Sequence, residues 1–124
     1  MANETQGAPY AAPKYSRHRT AVTAADAAIM TDRKVGCNCE GYTHAHIQVI
    51  PTGGANPTVE VLWWSEAASK FVEDHVLISK AGKGANVPFE FTVDCRGRIM
   101  FVRFDLLTAG TCEVMVSGFH TSQL

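Results

Sequence analysis

Between residues 42 and 119 the chain repeats one design: short runs in which every second residue is apolar, each closed by a turn signal. THAHIQVI sets Ala45, Ile47 and Val49 on one side. TVEVLWW sets Val59, Val61 and Trp63 together, and KFVEDHVLIS sets Val72, Val76 and Ile78 at matching parity around an interrupting Asp74. VPFEFTVD aligns Val87, Phe89, Phe91 and Val93, with Glu90, Thr92 and Asp94 opposite. RIMFVRFDLL aligns Met100, Val102, Phe104 and Leu106; CEVMVSGF aligns Cys112, Val114, Val116 and Gly118. A repeat of two is the mark of a strand with one buried face. The joints PTGGANP, KAGKGANVP, CRG and TAGT carry the Gly, Pro and Asn residues that reverse a chain. Six such strands, spaced by roughly 10 to 15 residues, predict an all-β chain folded as an antiparallel β-sandwich or barrel. One or two further strands from the first 40 residues bring the total to seven or eight.

A length of 124 residues fits one domain. At this size about two-thirds of the unfolded surface can be buried, so a core forms without staples. The net charge of -1 argues against general attraction to nucleic acid or membrane, and no run approaches the roughly 20 apolar residues of a membrane span. Residues 1–34 nevertheless carry five Lys/Arg against three Asp/Glu, a balance of +2, while residues 35–124 carry six against nine, a balance of -3. A mildly basic arm on a mildly acidic body suits contact with an acidic partner.

The opening MANETQGAPYAAP lacks periodicity and reads as an extended arm. The expected division is an N-terminal arm over 1–34 and a sandwich over 35–124. Within the arm, KYSRHRTAVT alternates loosely, as a strand would. TAADAAIMTD, with Thr23 as N-cap and Asp26 three residues on, predicts one or two helical turns, or a length lying extended along another surface. No basic segment followed by an apolar run opens the chain, so synthesis in a cytoplasm is expected. Cys37, Cys39, Cys95 and Cys112 are then free thiols. Cys37 and Cys39 are too close for an unstrained mutual bridge. Cys112, in step with Val114 and Val116, reads as a small buried apolar residue.

The stretch CNCEGYTHAH concentrates ligand-type residues. A hairpin about Glu40 and Gly41 would bring Cys37, Cys39, His44 and His46 into a tetrahedral set suited to zinc. Against this, structural fingers space their paired ligands more widely, and His44 and His46 fall opposite the Ala45/Ile47/Val49 face, where polar residues belong anyway. No metal or other cofactor is therefore expected. Nothing sets a nucleophile and an orienting group beside His75, and GKGAN lacks the spacing of a phosphate loop. SRHR is too short for a nucleic-acid footprint, and the carboxylates are scattered. The chain is not expected to be an enzyme.

Three strands carry apolar residues on both faces. Leu62, Trp64, Ile99, Phe101, Met115 and Phe119 lie opposite the parity assigned to the core. Each large side chain gains about 1.5–3 kcal/mol on burial, so a contiguous patch of them calls for a cover. The cover is either another chain, a second copy included, or the N-terminal segment or a loop of the same chain. Tyr10, Tyr15, Ile29 and Met30 are the arm residues able to repay its ordering, and Arg17 and Arg19 would face the acidic partner.

THAHIQVIPTGGANPTVEVLWW, VPFEFTVDCRGRIMFVRFDLL and GTCEVMVSGF, within residues 42–120, resemble segments of small virion proteins of tailed bacteriophages, with the Pro/Ala-rich arm compatible. The resemblance is to capsid decoration (cement) proteins. It implies a jelly-roll-like sandwich that dimerises or trimerises on the outside of the head and pins neighbouring copies of the major capsid protein with its termini. It implies no catalytic residue. The two tryptophans and the Cys-x-Cys pair lie outside that pattern. A tail or neck component of the same kind of particle is a second reading. A carbohydrate-binding module using Trp63 or Trp64 as a sugar platform is a third, and a zinc-stabilised domain a fourth.

Overall fold

The structure, a computed structural model, describes residues 15–28 and 30–120, and of Tyr15 the backbone alone. Among the described residues there are eight strands: β1 (Tyr15–Val22), β2 (Cys37–Asn38), β3 (His44–Thr52), β4 (Thr58–Ser65), β5 (Lys70–Ala81), β6 (Phe89–Asp94), β7 (Ile99–Leu106) and β8 (Thr111–Phe119). A single 3-10 turn, Arg33–Val35, precedes β2. The first sheet has the order β1–β8–β3–β6 and the second β2–β7–β4–β5. Every pairing is antiparallel. The chain is an antiparallel β-sandwich, as the alternation requires. Only β4 and β5 follow each other within a sheet; every other connection crosses between sheets.

The core lies between the sheets and is built from the parity read in the sequence. Ala45, Ile47 and Val49 of β3 and Cys112, Val114 and Val116 of β8 face Val59, Val61 and Trp63 of β4 and Met100, Val102 and Phe104 of β7. All are buried, and at about 1.5–3 kcal/mol for each large side chain this layer is the main stabilising term. Phe89 and Phe91 of β6 share the inward face but are half-buried, because β6 is an edge strand.

Two irregularities overturn parts of the parity reading. Thr58 pairs with Leu106 but Val59 pairs with Phe104, so Asp105 is an extra residue in β7. Side chains switch sides beyond it: Leu106 is 49% exposed and Leu107 is buried. In β5, Ile78 pairs with Val61 and Glu73 with Leu62, which leaves Asp74 to Leu77 with no cross-strand partner on β4. Val76 falls in this insert and is 75% exposed, not inward. Val87 precedes β6 and is exposed as well.

Residues 23–32 form no helical turn among the described residues. The peptide groups are used otherwise: the Asp26 N–H donates to the Phe104 carbonyl (2.9 Å), and the Met30 carbonyl accepts from the Phe71 N–H (3.0 Å). The segment runs over the outer face of the second sheet, the alternative that its Ala-rich composition left open. The expected arm therefore does not stop at a boundary between 34 and 35. Residues 15–22 are a strand of the first sheet, and the following stretch is a strap on the second.

Candidate partner-binding surfaces

Strand β2 is so short that it pairs with β7 only at Cys37–Met100 and Asn38–Ile99. The next peptide groups of β7 would be left open at that edge, and three side chains take the place of a strand. His18 Nε2 accepts from the Val102 N–H (3.0 Å), and Arg19 Nη1 donates to the Val102 carbonyl (2.9 Å). Asp26 Oδ2 accepts from the Phe104 N–H (2.8 Å). Arg19 and Asp26 are joined by two parallel bonds of 2.9 Å. The Arg19 guanidinium also lies over the rings of Phe101 (4.8 Å) and Phe104 (5.5 Å). Arg19 was expected to meet an acidic partner; its charge and donors are instead satisfied within the chain. Burial, then the Arg19 charge, lowers the His18 pKa from 6.5 to about 4, against a smaller opposing effect of Asp26.

The apolar surplus on the second sheet is also covered internally. Leu62, Phe71 and Phe101 form a second buried cluster, with Met30, Trp64 and Ile99 packed against it. Leu62 and Phe101 are each 2% exposed, which removes them from any partner surface; the strap reaches them first. Trp64 is half-buried, edge-on to Phe71 at 5.1 Å, and its indole N–H donates to Glu66 (2.9 Å). Trp63 is buried with Arg98 stacked on its ring at 3.9 Å. Neither tryptophan is an isolated sugar platform. Beyond the cluster, Glu60 is buried and paired with Arg103, which also reaches Glu73 at 3.4 Å.

The outer face of the first sheet differs. His44 stacks on Phe119 (5.6 Å), His46 pairs with Glu90 (3.2 Å), and Arg17 approaches Glu113 (3.9 Å). Met115 lies between Arg17 and Gln48 in register. Met115, Phe119 and Ile50 remain half-buried. The bonds that anchor the strap, Asp26 to Phe104 and Met30 to Phe71, both go to the second sheet.

The zinc arrangement considered for CNCEGYTHAH does not form. His44 and His46 face outward, while Cys39 is buried and Cys37 half-buried beside a third thiol, Cys95. Among the described residues no group of three or more His, Cys, Asp or Glu side chains is placed to hold a metal. Cys95 was not foreseen as a neighbour. It follows β6, and the Arg98 carbonyl three residues on accepts from the Cys39 N–H (3.0 Å), which carries it to the Cys-x-Cys pair. Its thiol donates to the Tyr42 carbonyl (3.8 Å). Two clefts flank the thiols. One of about 480 Å³ runs past Arg17, His18, Lys34, Cys37 and Phe101; one of about 350 Å³ runs past Cys37, Cys39, Tyr42 and Val116.

Of the remaining expected contact residues, Arg17 is exposed, Met30 and Ile99 pack on the second cluster, and Tyr10, Ile29 and the Tyr15 side chain lie outside the described residues. No protein-family model, curated protein or solved structure matches the chain.

Proposed function

We propose that the protein is a structural binding module of a virion: a capsid decoration protein that attaches to the outside of a phage head and stabilises it by bridging coat subunits. One observation carries this reading, the inequality of the two outer faces. The second sheet's apolar surplus forms a buried cluster of Leu62, Phe71 and Phe101 under Met30, with Trp64 and Ile99 half-buried at its rim, whereas Met115, Phe119 and Ile50 of the first sheet sit half-buried among polar neighbours outside any such cluster. An apolar patch with a polar rim is the composition of a protein contact. Strand β1, which borders this face, begins at residue 15, directly after residues 1–14 in the sequence.

The strand orders support the jelly-roll part of the reading. Sheets of order 1–8–3–6 and 2–7–4–5, with all but one connection crossing between them, follow the winding of a double-sheet jelly roll, an architecture used by capsid proteins. Stabilisation would be additive. Each dimeric or trimeric copy contributes a modest contact, and occupancy over the shell multiplies it.

The test is co-sedimentation of purified protein with empty heads assembled from the major capsid protein of the same genome, alongside light scattering of the free protein. Saturable binding at a fixed ratio to coat subunits is expected, weakened by Met115→Glu or Phe119→Glu without loss of fold. A monodisperse monomer that ignores heads, or binding indifferent to both substitutions, overturns the proposal. A copy number of a few per particle would point instead to the tail or neck.

A further inference from the structure

The three clustered thiols have no part in the binding role. Cys37 borders both clefts and is half-buried, so small solutes reach it; Cys39 also borders the smaller cleft but is only 2% exposed, and Cys95 is 0% exposed. The Cys39 thiol donates to the Cys37 carbonyl (3.7 Å) and the Cys95 thiol to the Tyr42 carbonyl (3.8 Å), and the three thiols lie close enough to shift one another's acidity. The backbone fixes this order: Cys37 is paired with Met100 in the ladder, the Cys39 N–H donates to Arg98, and the Arg98 N–H donates to Cys95 (2.7 Å). Cys112, the fourth thiol, is buried among the core residues of β8.

We propose that Cys37, Cys39 and Cys95 form a peroxide-reactive thiol relay, in which Cys37 is oxidised first and the oxidation is passed inward to leave a Cys39–Cys95 disulfide. The Cys37 thiolate attacks one oxygen of the peroxide; an S–O bond forms, the O–O bond breaks, and hydroxide leaves to become water. Cys39 sulfur then attacks Cys37 sulfur; the S–S bond forms, the S–O bond breaks, and the second oxygen leaves as water with the Cys39 proton. A Cys37–Cys39 bridge spans only one intervening residue and is strained. Cys95 thiolate therefore attacks Cys39, forming the Cys39–Cys95 bond and releasing Cys37 as thiolate. In sum, two thiols are oxidised to one disulfide, and one peroxide is reduced to two waters.

The acid–base bias agrees with this order. The neighbouring Cys39 thiol lowers the Cys37 pKa and lowers that of Cys95 to about 7, while Cys37, Cys95 and burial raise that of Cys39. The first and last attacking sulfurs, Cys37 and Cys95, are thus favoured as thiolates, whereas Cys39 is held as a thiol whose proton leaves with the water. The product would tie the β2–β3 loop to the β6–β7 turn and close a long loop, which stabilises a fold chiefly by restricting its unfolded chain.

The experiment treats the full-length folded protein with hydrogen peroxide, quenches with acid, alkylates, and maps peptides without reduction. A linked Cys39–Cys95 peptide with Cys112 still alkylated as a thiol is expected, together with a rise in thermal midpoint that reductant reverses. Cys37→Ser should slow formation of the bond by about tenfold or more. Cys95→Ser should stop at Cys37–Cys39, and Cys39→Ser should accumulate sulfenic acid on Cys37 that dimedone traps. Oxidation of Cys112 as fast as the cluster, three surviving thiols in the wild-type protein, or a Cys37→Ser rate equal to wild type each overturns the relay. The wild-type map decides the matter even where a substituted chain fails to fold.

Discussion

Acid should destabilise this sandwich through His18. His18 Nε2 accepts the Val102 N–H at 3.0 Å, a bond that requires an unprotonated nitrogen. A proton there would set donor against donor beside the Arg19 guanidinium. Above about pH 6.5 the imidazole is neutral in both folded and unfolded chains, and its contribution is complete. As the pH falls below 6.5 the unfolded chain binds a proton that the folded chain refuses until about pH 4. Stability is therefore lost across that window and levels off below it. A pKa lowered from 6.5 to about 4 corresponds to about 3 kcal/mol over the whole window, of which about 2 kcal/mol is gone by pH 5. A domain is stable by about 5–15 kcal/mol, so this loss is readily measured. The assay is urea unfolding at several pH values between 7.5 and 4.5, for wild type and for His18→Gln, which retains an acceptor but does not titrate. The stability difference between them should shrink by about 2 kcal/mol from pH 7 to pH 5. Parallel curves would refute the argument, because His18 would then titrate alike in both states.

Other consequences concern single contacts. Phe101→Ala should cost about 3–5 kcal/mol in chemical denaturation; a chain that keeps its stability and loses only self-association would restore Phe101 to a partner surface. Arg103→Met strands the buried Glu60 carboxylate and should cost about 3–5 kcal/mol, most of it recovered in the Arg103→Met/Glu60→Leu double variant. Thermal melts of the two variants compare them directly, and equal instability would show that packing, not charge, sets the cost. Ala21 sits at a register shift in β1 with φ 51°, a left-handed conformation costing about 1–2 kcal/mol for a residue with a Cβ. Ala21→Gly relieves that strain against about 0.5–1 kcal/mol of added backbone entropy, so its melting temperature should be equal to wild type or higher. A clear drop would contradict the strain argument.

Alternation by itself determined the β-sandwich class, the six strands from β3 to β8 and the inward set of β3, β4 and β8 with Met100 to Phe104 of β7, because side-chain direction in a strand is a local property of the backbone. It also located the surplus: Leu62, Trp64, Ile99, Phe101, Met115 and Phe119 are outside the main core, as their parity requires. What covers each of them was not in the pattern. Residues 23–28 and 30–36 lie on the second sheet because Asp26 and Met30 find open peptide groups on β7 and β5: the opening on β7 exists only because β2 is too short, and that on β5 because β5 is the sheet's other edge. The same long-range pairing placed Arg19 against Asp26 and brought Cys95 to Cys39, residues 56 positions apart in sequence. The extra residues at Asp105 and Asp74–Leu77 were equally invisible, since a bulge is defined by the strand opposite. Period and turn chemistry are written along the chain; register, cover and thiol proximity arise between segments far apart, and only the packed structure sets them.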